Sequence, residues 1–149
     1  MSEEEKKVSD LEAALEKERE DFTSKINSLI GMIGKIDSIS EAQVLMLSYR
    51  HMMVDKLIKY RSAIFKKKAN DQNYRKMRIE YYKTQHDLRL DYKEINEFIN
   101  SDMALRIRQT EIIDNQISFC TLCIETLDRM GFSIKNRISI AEMDYRKNI

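Results

Sequence analysis

Apolar residues recur at helical intervals along almost the whole chain. Val8, Leu15, Phe22, Leu29 and Ile36 fall seven residues apart, with Leu11 and Met32 on the intermediate positions and Glu18 and Lys25 interrupting the other two. A seven-residue repeat puts these side chains on one stripe of an α-helix. Residues 3–36 are therefore predicted to form a coiled-coil-like arm. The stripe serves either self-association or packing on the arm's own domain, and the pattern leaves both open. Gly31 and Gly34 then interrupt it, and because Gly costs about 1 kcal/mol in a helix interior, a bend or break is expected there. Ser38 with Glu41 has the spacing of a capping box at the next helix start.

Leu45, Met52, Met53, Leu57, Tyr60, Ile64 and Phe65 keep helical spacing, which predicts one long helix from about residue 40 to 83. A second segment is predicted over 87–99 from Leu88, Tyr92, Ile95 and Ile99, with Asn100-Ser101-Asp102 as its end. The broadest apolar face follows, over 102–130, and carries Leu105, Ile112, Ile113, Gln116, Ile117, Cys120, Cys123, Ile124, Leu127 and Met130. Gly131 is expected to stop this helix in a left-handed turn, with Phe132 folding back on its last turn. A short helix over 134–145 closes the pattern.

Composition strengthens the helical reading. The 149 residues include no proline and three glycines, and sheets need turns that are mostly built from those two. The predicted class is all-α: long helices in a bundle, with the arm at 1–36 and a helical domain at 38–149. Helices this long leave apolar faces uncovered in a slim monomer, so a homo-oligomer is expected.

Charge changes the picture more than composition does. Residues 56–83 hold ten Lys and Arg against Asp71 and Glu80, a local +8, although the whole chain is only +1. Residues 74–83 alone place four cations and three tyrosines around a single acid. Cations neutralise phosphates and release counterions, and aromatic rings stack on unpaired bases. The tyrosines equally suit a core. The acidic N-terminus and the absence of apolar runs beyond about four residues predict a soluble, intracellular protein. Docking on an anionic membrane is disfavoured, because no helix reads as joining a concentrated basic face to exposed bulky apolar residues.

Other chemistry finds little footing. Cys120-Thr121-Leu122-Cys123 is a C-x-x-C, but only His51 and His86 are present to complete a zinc site, and both sulfurs fall on the apolar face. Packing of reduced thiols is expected, with no metal and no cofactor. With three glycines and no nucleophile or P-loop motif, no enzyme is expected.

Two stretches carry a family resemblance. Arg75-Lys76-Met77-Arg78-Ile79-Glu80-Tyr81-Tyr82 resembles the Leu-Lys-Ala-Arg-Leu-Asp-Tyr-Tyr motif of the UvsY family, the recombination mediators of tailed bacteriophages. Phe119-Cys120, Leu122 to Leu127 and Gly131-Phe132-Ser133-Ile134-Lys135 resemble that family's C-terminal Phe-Cys…Gly-Phe-Ala-Ile-Lys segment. The two motifs, in order, cover about residues 45–145.

The resemblance implies a non-enzymatic mediator of DNA recombination and repair in the host cytoplasm. Such proteins form rings, bind single-stranded DNA and help a RecA-like recombinase displace single-strand-binding protein. It puts DNA binding on Lys76 and Arg78, to which Arg75, Lys83, Lys66, Lys67 and Lys68 add electrostatic grip. Tyr81 and Tyr82 are left to stack on bases or to pack. It also assigns subunit assembly to the C-terminal segment 102–145, through Ile113, Ile117, Cys120, Ile124, Leu127, Phe132 and Ile134. Arg75 replaces the motif's leading Leu, and Lys83-Thr84 replaces a Ser-Gly. The alternative is a coiled-coil scaffold whose basic centre pairs with acidic arms of neighbouring subunits.

Overall fold

The computed structural model describes residues 1–148 and is helical almost throughout. Three long helices pack in a bundle: α1 (Glu3–Ile33), α2 (Ile39–Thr84) and α3 (Tyr92–Lys147). No strand occurs among the described residues. The first helix begins in a reciprocal capping box. Glu5 N–H donates to Ser2 Oγ at 3.1 Å, and Ser2 N–H donates to Glu5 Oε2 at 2.7 Å. It ends beside Gly34, and a 3-10 turn (Ile36–Ser38) leads into α2. Ser38 thus lies within that turn, and its N–H donates to the Lys35 carbonyl.

The second helix runs through the polar 70–73 patch without a break. The third starts later than the spacing suggests. Asp91 Oδ1 accepts the Glu94 N–H at 2.8 Å and caps α3 at Tyr92, leaving 85–91 as the connection. Leu88 and Tyr92, expected on an apolar stripe, are exposed.

Two other expected breaks do not occur. Asn100-Ser101-Asp102 and Gly131 are both interior to α3, and no glycine has a positive φ. Gly131 has a different use: a Cβ built on it would meet Met46 Sδ at 3.3 Å. The glycine gives room to that methionine rather than a turn. Phe132 correspondingly does not fold back; it is exposed.

All three helices contribute to each of two compact units. One unit comprises Met1–Ala14 and Lys59–Gln116, the other Leu15–Ile58 and Ile117–Ile149. In the first, Val8, Ile64, Ile95, Ile99, Met103 and Ile112 are buried. In the second, Leu15, Phe22, Leu29, Met53, Leu57, Cys120, Leu127 and Ile134 are buried, each worth about 1.5–3 kcal/mol when large and fully enclosed. Phe22 meets Tyr49 and Phe119 edge-on at 6.1 and 6.5 Å. The heptad stripe of α1 is therefore covered within the chain at Val8, Leu15, Phe22 and Leu29, while Ile36 is exposed.

Candidate nucleic-acid interface

Within the first unit, α2 has two chemically different faces. A helix turns about 100° per residue, so the cations of the 74–83 stretch cannot all point one way.

The inner face carries Ile64, Lys67, Asp71, Tyr74, Arg78 and Tyr82, all buried or half-buried. Arg78 Nε donates to Asp102 Oδ2 at 2.9 Å, and Arg78 Nη2 donates to Tyr82 Oη at 3.1 Å. The Tyr82 hydroxyl donates to the same Asp102 oxygen at 2.6 Å. The guanidinium also lies 4.6 Å from the Tyr81 ring centroid and 5.0 Å from that of Tyr82. The bond to Tyr82, and next that to Asp102, hold the Arg78 pKa above its ordinary value. Burial, and then the bond to Asp102, raise that of Tyr82. Tyr82 stacks on Phe98 at 5.4 Å and belongs to a core with Ile95, Ile99 and Met103. Tyr81 is half-buried against that core.

About three turns earlier, Lys67 Nζ donates to Asp71 and to the Arg106 carbonyl at 2.7 Å. Arg106 Nη1 donates to Asp71 Oδ1 at 3.0 Å, and its guanidinium sits 3.9 Å from the Tyr74 ring centroid. These groups satisfy one another and join α2 to α3. Arg78 and Lys67, expected on the DNA side, are here held half-buried by Asp102 and Asp71, as suits a cation whose charge a carboxylate compensates. Tyr82, for which stacking and packing were both open, packs in the core.

The outer face is the candidate interface. Arg61, Phe65, Lys68, Gln72, Lys76 and Lys83 are all exposed, at intervals of four, three, four, four and seven, which is one helix face. Arg75 is exposed beside them, and Lys66 is exposed on the flank. None of these cations makes an ion pair among the described residues. Glu80 is the acid that shares this side of α2. Phe65, expected on the core stripe from its spacing, is 78% exposed and stands between Arg61 and Lys68. A large apolar ring inside a basic stripe is thus present, contrary to the expectation that no helix joins a basic face to an exposed bulky apolar residue. Phe65 is also absent from the site residues expected from the sequence. Its place on the Arg61–Lys68 stripe, rather than on the Leu57–Ile64 stripe, is the signal that finds it.

The expected assembly residues divide. Cys120, Leu127 and Ile134 are buried in the chain's own core, Ile113, Ile117 and Ile124 are half-buried, and Phe132 is exposed. The first three are enclosed without a second subunit. Burial pushes both thiols, Cys120 and Cys123, up to about 11, well away from thiolate reactivity. No cluster of metal-ligating side chains occurs among the described residues. No helix among them is long and apolar enough to cross a membrane. Comparisons with protein-family models, with curated proteins and with solved structures found no match.

Proposed function

We propose that this chain is a non-enzymatic recombination mediator that binds single-stranded DNA along the outer face of α2 and assists a RecA-like recombinase against single-strand-binding protein. One observation carries the binding part: the exposed, unpaired row Arg61, Lys68, Lys76 and Lys83, with Arg75 beside it and Phe65 within it. Cations at this spacing follow a phosphate backbone, and an exposed ring offers a base a stacking partner without reading its sequence. The mediator part rests on the resemblance of residues 75–82 and 119–135 to the UvsY family.

Assembly into a ring belongs to the same proposal. It is supported by a second exposed stripe on α2, in the other unit: Val44, Leu47 and Ile58 recur along one face with half-buried Val54 between them. Such a row is an association surface in the manner of a coiled-coil seam. A ring would repeat the basic row around its perimeter and gain affinity by avidity.

The test is fluorescence anisotropy of a labelled single-stranded oligonucleotide, with duplex as comparator and column sizing alongside. Binding that favours the single strand, and that weakens at least tenfold in Lys76→Ala/Lys83→Ala, supports the proposal. Assembly without DNA binding at low salt supports the scaffold alternative instead.

A further inference from the structure

Beside the basic row, α2 and α3 bound a groove of about 290 Å³ within the first unit. Its α2 side is Lys68, Gln72 and Arg75, and its α3 side is Met103, Ile107 and Thr110. We propose that this groove receives one unstacked nucleobase of the bound strand, while Lys68 and Arg75 hold the flanking phosphates. The inference rests on the single-strand reading above and names what that surface takes in.

Three observations carry it. The first is the pairing of surfaces. Met103 and Ile107 are apolar and suit the flat face of a base, whereas Lys68 and Arg75 are exposed cations on the same rim. A nucleotide has that same division between ring and phosphate.

The second is charge. Two acids also line the groove, Asp71 and Glu111. Asp71 is held by Lys67 and by Arg106, and Arg108 lies 3.8 Å from Glu111. Asp71 is thus compensated by two cations, whereas Arg108 is held mainly by Glu12 at 2.6 Å and reaches Glu111 only at the longer distance. Lys68 and Arg75 supply the two cations of the lining itself.

The third is construction. The network of Lys67, Asp71, Arg106 and Tyr74, whose Asp71 is part of the lining, ties the α2 wall to α3. A wall held by satisfied bonds keeps its shape without a ligand, which lowers the ordering cost of binding. The groove also continues the row directly, since Lys68 and Gln72 belong to both and Arg75 stands beside the row.

The test uses the full-length protein and a labelled thymidine oligonucleotide, with an abasic strand of equal length as the control. Ile107→Trp and Thr110→Phe fill the groove from α3 without altering a charge. Each is expected to weaken binding of the thymidine strand roughly tenfold and to leave the abasic strand unchanged. A wild-type measurement stands beside them: a 5-iodouracil oligonucleotide, irradiated on the protein, is expected to crosslink within residues 103–110. Filled variants that bind the thymidine strand as the wild type does, or crosslinks confined to Phe65 and other positions, overturn the groove while the strand reading stands. A wild type that binds neither strand overturns both.

Discussion

Arg78 and Asp102 meet at 2.9 Å between α2 and α3, and the Tyr82 hydroxyl donates to the same carboxylate oxygen at 2.6 Å. The contact assigns Arg78 to the fold, although the motif in which it stands points to DNA. Lys76, two residues away and thus about 200° around the helix, keeps the solvent side.

The two cations of the motif should therefore separate in experiment. Arg78→Ala leaves Asp102 and the Tyr82 hydroxyl without their partner, and is expected to lower stability by about 1.5–3 kcal/mol in urea denaturation. Lys76→Ala is expected to change stability by no more than about 0.5 kcal/mol. Equal stability losses in the two variants would contradict the assignment.

Phe65 should behave as a binding residue. Phe65→Ala removes an exposed ring and no core contact, so the melting temperature is expected to hold. Affinity for a single-stranded oligonucleotide should fall by about 1–3 kcal/mol, the worth of one base stacked on an aromatic ring. An unchanged affinity would remove Phe65 from the interface.

Gly31 offers a stabilising change. A Cβ there meets nothing within 4 Å, and the residue is helical within α1. Gly31→Ala is expected to raise stability by about 0.5–1 kcal/mol, through helix propensity and a less free unfolded chain. Gly131→Leu, by contrast, must displace Met46 and is expected to cost about 1–3 kcal/mol.

The buried thiols give a signed pH dependence. Burial raises Cys120 and Cys123 from 9.0 to about 11 in the fold, so the protonated thiol is the form the native state favours. Their contribution is fully present below pH 9 and is lost as pH rises through about 11. Melting temperature is expected to decline across that window, and Cys120→Ala/Cys123→Ala should show a shallower decline from a lower start. At pH 8 neither thiol should react with a disulfide reagent until the protein unfolds.

Much of the fold is readable from spacing, because a buried helix face repeats whatever its partners are. Val8, Leu15, Phe22 and Leu29 mark the inner stripe of α1, and Met53, Leu57 and Ile64 that of α2. What spacing does not carry is the partner. Gly131 has the look of a helix stop, and only the nearness of Met46 explains a helical glycine there. Asp102 looks like part of a break, yet it is the acceptor for Arg78 and Tyr82.

The candidate site is legible in the same partial way. Its position on α2 follows from the +8 charge of residues 56–83. Which cations reach solvent does not, since that depends on Asp71 and Asp102 claiming Lys67 and Arg78. Lys56, at the edge of the same stretch, is likewise taken up by Glu18 at 2.8 Å.

The most direct measurement is the salt dependence of single-strand binding by the wild type and by Lys68→Ala/Lys76→Ala/Lys83→Ala. Each cation that neutralises a phosphate contributes about 0.7 to the slope of log affinity against log salt. The triple variant should therefore lose about 2 from that slope, with its fold intact. A wild-type slope near zero, or a triple variant with the wild-type slope, would contradict a strand lying along the outer face of α2.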